Sequence, residues 1–180
     1  SEDEEKALKI LEFSVEASLS RGEQPSPQAI LCLATYKALY DYRWSELLSD
    51  NDDIHEVFIR QVSEPRLECQ IKSNMPMLQK ITDDVSVKVR AQYEKNPYPR
   101  WVNLGLPLNS ESISKVVSQS KIKLFDSEIC QVNSPDILIA GCGTGQHSIG
   151  TAARFRNSKV LAIDLSLSSL SYAKRKTEEL

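Results

Sequence analysis

The run Asp136-Ile137-Leu138-Ile139-Ala140-Gly141-Cys142-Gly143-Thr144-Gly145-Gln146 restricts the fold of this chain more than any other stretch. Ile137, Leu138 and Ile139 carry the apolar, largely β-branched side chains that a buried parallel strand needs on both faces. Gly141, Gly143 and Gly145 follow at alternate positions, where the chain must turn sharply and where a missing Cβ lets a ligand approach the main chain. A helical pattern opens at Gln146 and runs to about Phe155. The N–H groups at its start offer donors and a partial positive charge. A second apolar run, Lys159-Val160-Leu161-Ala162-Ile163, ends on Asp164, whose carboxylate can accept hydrogen bonds from both hydroxyls of a ribose. Strand, Gly-rich turn, helix, strand and acidic residue together predict an α/β chain with one βαβ unit and a nucleotide-type site at its strand tips.

Two cofactor classes use this layout. A dinucleotide site reads G-x-G-x-x-G, but here the third glycine comes one residue early and Gln146 stands in its place. The run Ala-Gly-Cys-Gly-Thr-Gly-Gln, followed about twenty residues on by Ile-Asp-Leu-Ser, resembles motif I and the second-strand acidic motif of class I S-adenosylmethionine-dependent methyltransferases. The resemblance implies that Gly141, Cys142, Gly143, Thr144 and Gly145 form the cofactor loop, with the three glycines along the methionine and ribose part of S-adenosylmethionine. It implies that Asp164 holds the ribose hydroxyls and that Leu165 and Ser166 edge the adenosine pocket. Many members place Asp or Glu two residues before the first glycine to help hold the cofactor's amino group; this chain has Ile139 there. Cys142 is read as a small residue filling a tight turn rather than as a nucleophile. His147, in the first turn after the loop, fits either a contact with the cofactor carboxylate or a solvent-facing position.

A formal net charge of -3 gives no support for a nucleic-acid surface. No apolar run approaches membrane-spanning length and no signal peptide opens the chain. Cys32, Cys69, Cys130 and Cys142 are scattered without a C-x-x-C pair, as reduced thiols of a cytoplasmic protein would be. The polar stretch around Asp50, Asp52 and Asp53 lacks the Gly and distant Glu of a calcium loop, and His55 has no metal-ligand partner at helical spacing, so no metal site is expected.

Ahead of the Gly loop the pattern is helical. Leu8, Leu11, Val15 and Leu19 predict a helix over 3–20 that Gly22 closes and whose acidic first turn suits a helix N-terminus. Ser26 and Pro27 start a second, largely apolar helix expected to reach about Tyr42, with Tyr36, Tyr40, Tyr42 and Trp44 near its end for packing. Shorter helices are expected near 54–62, 66–72 and 112–120, and another runs from the caps Asp83 and Asp84 through Val85, Val89 and Tyr93. A final helix is expected over 168–180.

The segment Val89-Arg90-Ala91-Gln92-Tyr93-Glu94-Lys95-Asn96-Pro97-Tyr98-Pro99-Arg100-Trp101 resembles the one that precedes the catalytic domain in bacterial methyltransferases carrying tetratricopeptide repeats. No such repeat is present in this chain. The two prolines predict an extended, rigid connector, and Tyr93, Tyr98, Arg100 and Trp101 are candidates to lie against the cofactor or substrate cleft. Asn96-Pro97-Tyr98 is not the Asn/Asp-Pro-Pro-Tyr/Phe loop of amino-methyltransferases, because its second proline follows the tyrosine.

The expected organisation is a helical region over 1–100, a linker with a short helix over 101–134, and the start of a Rossmann-like S-adenosylmethionine-binding domain over 135–180. A doubly wound sheet needs more strands than these two, so a truncated methyltransferase is expected: active in its full-length parent and silent alone, with the catalytic base and methyl acceptor unidentified. The competing reading is a helical protein-interaction module with a structural Rossmann-like unit and no activity.

Overall fold

The computed structural model describes residues 1–120 and 123–180, so the linker expected over 101–134 is described except at 121 and 122. The chain divides into two compact units, Ser1–Leu67 and Glu68–Leu180.

The first unit is helical. Helix α1 (Glu2–Ser20) opens with a capping box in which the Ser1 hydroxyl accepts from Glu4 N–H and the Glu4 carboxylate reaches back to the Ser1 amino group. It closes where Gly22, at φ +77°, donates to Leu19 O. Helix α2 (Pro27–Tyr36) has Ser26 as N-cap and Pro27 in its first turn. It stops six residues short of the extent expected from sequence, since Lys37 is already extended. Two 3₁₀ turns follow, Leu39–Asp41 and Arg43–Leu47. They fold the aromatic cluster inward: Tyr42 and Trp44 stack at 4.6 Å and are buried, while Tyr36 and Tyr40 remain exposed. The apolar spacing that reads as one long helix is thus satisfied by tighter turns, with the Gln61 side chain accepting from Leu39 N–H and donating to Ala34 O. Val15, Leu19, Ile30, Leu33, Leu39 and Val62 form the heart of this core.

Helix α3 (His55–Phe58) runs through a π-helical stretch, Ile59–Ser63, into α4 (Glu64–Ser73). In α geometry the Pro65 ring would meet the Gln61 carbonyl, and the wider turn relieves that clash. His55 Nδ1 lies 2.8 Å from the Asp50 carboxylate, which makes it a local tether at the surface.

In the second unit, α5 (Asp84–Lys95) is capped by Asp83, and α6 (Ile113–Ser120) follows a loop. The segment between them contains a cis Tyr98–Pro99 peptide bond. Strand β1 (Asp136–Ala140) pairs in parallel with β2 (Lys159–Ile163), in the register Asp136↔Lys159 to Ala140↔Ile163. Helix α7 (Gln146–Arg154) connects the strands and α8 (Leu167–Glu178) follows β2. The architecture is therefore a helical N-terminal region followed by a two-stranded parallel sheet with helices, a Rossmann-like βαβ unit. Leu138 and Leu161 are register partners and are exposed together on one face of the sheet. No helix among the described residues is long and apolar enough to cross a membrane.

Candidate nucleoside site at the glycine loop

The loop is built by strand pairing continued past the strands. Gly141 N–H and Cys142 N–H both donate to Ile163 O, at 2.8 and 3.0 Å, which draws the start of the loop onto the tip of β2. Asp164, the next residue, accepts from Gly143 N–H at 2.8 Å on one oxygen and from Ser166 N–H at 2.9 Å on the other. The carboxylate therefore sits beside the bend, oriented by two backbone donors. Each oxygen keeps a second lone pair for an incoming hydroxyl.

The three glycines stand in different surroundings. All have positive φ: +75° at Gly141, +54° at Gly143 and +87° at Gly145. Among the described residues a Cβ on Gly141 would meet nothing within 4 Å, so that side of the loop is open. A Cβ on Gly145 would come within 2.6 Å of Ala173 Cβ, so this glycine is where α7 and α8 pack tightly. Thr144 is 1 % exposed and its hydroxyl donates to Pro99 O at 2.6 Å. Ser166 is fully buried and caps α8 through Ser169 N–H. Leu165 is exposed beside them.

Cys142 is buried. That burial first, and the Asp164 carboxylate second, push its thiol up to about 11, so near neutral pH it is a packed thiol and not a nucleophilic thiolate. Ile139 is buried in β1, so the position that carries an acid in many methyltransferases is apolar here. His147 is exposed in the first turn of α7. Among the described residues no side chain caps the N-terminus of α7.

The N-terminus of α8 is treated differently. Glu94, from the end of α5, accepts from Leu167 N–H at 2.7 Å and Ser168 N–H at 3.3 Å, and its carboxylate also takes the Ser168 hydroxyl and the Lys72 ammonium, each at 2.6 Å. Burial by itself would raise this carboxyl, but the bonds from Lys72, Ser168 and Leu167 outweigh it and hold it near 2. Sequence reasoning did not single out Glu94 or Lys72. Glu94 and Leu167 are 73 residues apart, and nothing local marks the pairing.

Between Glu94 and α6 the chain straps the Gly loop to α8. Trp101 is buried, its indole N–H donates to Thr144 O at 2.9 Å, and its own carbonyl accepts from the Tyr172 hydroxyl. The Arg100 guanidinium pairs with Glu68 at 3.0 Å and lies 4.7 Å from the centre of the Tyr172 ring. Buried Arg175 joins the same Glu68. Trp101 and Arg100 thus act through packing and ion pairing. Tyr98 is 76 % exposed, and Tyr93 is exposed on α5. Replacing Trp101 by Phe keeps most of the ring but leaves the Thr144 carbonyl without its donor. Thermal unfolding is expected to show a loss of about 1–2 kcal/mol.

A parallel βαβ unit with a side-chain-free loop and a carboxylate at the adjoining strand tip belongs to the Rossmann-like class. Residues 137–180, from within β1 through α8, match the family described as "Methyltransferase domain". No curated protein and no solved structure matches the chain. Among the described residues no group of three or more His, Cys, Asp or Glu side chains is placed to hold a metal ion.

Proposed function

We propose that this chain carries the donor-binding half of an S-adenosylmethionine-dependent methyltransferase. The observation that carries the reading is the Asp164 carboxylate, 2.8 Å from the Gly143 amide with the Gly141 side of the loop open next to it. S-adenosylmethionine, when bound, supplies an electrophilic methyl group on a sulfonium. The residues fit such a nucleoside: Asp164 would take the ribose hydroxyls, Gly141 and Gly143 would let the methionine part lie against the backbone, and exposed Leu165 would edge the base. The uncapped start of α7 offers N–H donors to a carboxylate. With Ile139 apolar, the amino end must be met by another group. Two carboxylates, Asp164 and ionised Glu94, stand at β2 and the start of α8 and disfavour a ribose phosphate there.

Held there, the sulfonium would offer its methyl carbon to a lone pair of the acceptor, with the carbon–sulfur electron pair staying on sulfur. The acceptor's proton leaves to a base or to water. The protein's contribution is chiefly to hold donor and acceptor in line. The exposed Leu138–Leu161 face supports a larger covered sheet in the complete protein, because parallel strands are buried on both faces. We place the acceptor pocket and base on that remainder, and the protein in the cytoplasm.

Calorimetric titration of the full-length protein with S-adenosylhomocysteine is expected to show saturable binding, weakened roughly 10- to 100-fold by Asp164→Ala through loss of charge-assisted hydrogen bonds. No heat at millimolar ligand would sink this reading. It would favour the alternative, a helical docking module, for which the outer face of α1 with Ile10 and Phe13 exposed is the natural surface.

A further inference from the structure

The strap between α5 and α6 carries one exposed, uncommitted aromatic residue, Tyr98, whose backbone lies beside the Gly loop. The Tyr98 carbonyl oxygen lies 3.9 Å from the place a Cβ on Gly143 would occupy, so the backbone of Tyr98 is stacked on the loop itself. The chain is fixed close by on its C-terminal side: Pro99 O accepts from Thr144, and the Trp101 indole donates to Thr144 O. Pro97 and Pro99 flank the tyrosine and restrict its backbone further. Of the four residues of this segment that the sequence offers for a cleft, Trp101 is buried and hydrogen-bonded, Arg100 is paired with Glu68, and Tyr93 lies back on α5. The Tyr98 ring makes no stacking contact and its hydroxyl no hydrogen bond among the described residues. A large aromatic group held on a restrained backbone and left in water is pre-organised for a partner, because ordering the backbone costs nothing further on binding.

We propose that Tyr98 is a ligand-binding residue of this site, its ring forming the wall beside Gly143 and recognising the positive charge of a sulfonium nucleoside through its π face. This rests on the donor-binding reading above and adds to it the group that tells substrate from product. The substrate sulfonium is a cation that a tyrosine face attracts, whereas the product thioether is neutral and gains only the apolar contact. Asp164 and the glycine backbone serve the part of the nucleoside that substrate and product share, so they do not distinguish the two.

The test is calorimetry on the full-length protein with S-adenosylmethionine and S-adenosylhomocysteine as separate probes, comparing wild type with Tyr98→Leu and Tyr98→Phe. Tyr98→Leu is expected to weaken the sulfonium ligand roughly three- to tenfold more than the thioether. Tyr98→Phe, which keeps the ring, is expected to hold the wild-type ratio. The exposed position predicts unchanged thermal unfolding for both variants. Equal weakening of the two ligands by Tyr98→Leu, or none, would overturn the assignment while leaving the donor-binding reading intact. A shift in the ratio for Tyr98→Phe as large as for Tyr98→Leu would also overturn it, by making the hydroxyl the operative group. Wild-type protein that binds neither ligand would overturn both.

Discussion

Gly145→Ala is expected to lose about 3 kcal/mol or more of stability, the sum of forcing a side-chain-bearing residue into a left-handed backbone and of overpacking a filled contact. The backbone at Gly145 has φ +87°, and a methyl group there would sit 2.6 Å from Ala173 Cβ and 3.1 Å from Ala173 Cα. Relief cannot come from a swinging side-chain end. Either the start of α7 or the body of α8 must move, and such a shift passes directly to the loop and Asp164. Gly141→Ala makes the control. Its φ of +75° is equally unusual, yet its new methyl would meet nothing within 4 Å among the described residues. Gly141→Ala should therefore cost about 1 kcal/mol from backbone strain alone, while its methyl projects into the space proposed for the nucleoside. Chemical denaturation of the two variants is expected to separate a packing glycine from a ligand-facing one. Similar unfolding midpoints would contradict the contact geometry.

Glu94→Ala is the second large effect. The substitution removes the acceptor of two backbone N–H groups at the start of α8 and of the Ser168 hydroxyl, and the partner of Lys72. Losing a helix cap together with charge-assisted bonds is expected to cost about 3 kcal/mol, and Glu94→Gln, which can still accept, about half of that. The same carboxylate gives the fold a pH dependence. Its folded value, about 2, lies below the 4.5 that is ordinary for a glutamate. The unfolded state therefore binds the proton more readily, and the contribution is complete above the unfolded value. It fades as the pH falls from 4.5 toward 2 and is gone below that. Burial opposes the shift and the hydrogen bonds dominate it, so the contribution is about 2–3 kcal/mol at neutral pH. Thermal unfolding between pH 6 and pH 2 should show wild type losing stability faster than Glu94→Gln. Parallel curves would remove Glu94 from the acid response.

The βαβ unit was legible in the sequence because each of its signals is short-range. An apolar β-branched run extends, glycines at alternate positions turn, a helical pattern resumes over 168–180, and Asp164 falls at the strand tip by counting. The caps of α2 and α5 were legible for the same reason: donor and acceptor lie within three residues of each other. The extent of α2 was not. Apolar spacing specifies which side chains go inward, and two 3₁₀ turns bury Leu39, Tyr42 and Trp44 as well as a continued helix would.

From its own residues the chain determined where it would turn without side chains and where a carboxylate would meet that turn, since both follow from backbone sterics over a few neighbouring positions. Only the tertiary structure decided how the three glycines divide between open space and helix packing, and that Glu94 closes the start of α8. It alone made the Pro-rich strap a partner of Thr144 that leaves the Tyr98 ring free. Those outcomes depend on contacts between groups tens of residues apart, where each partner is satisfied only by the geometry of the other, and no local preference encodes that choice.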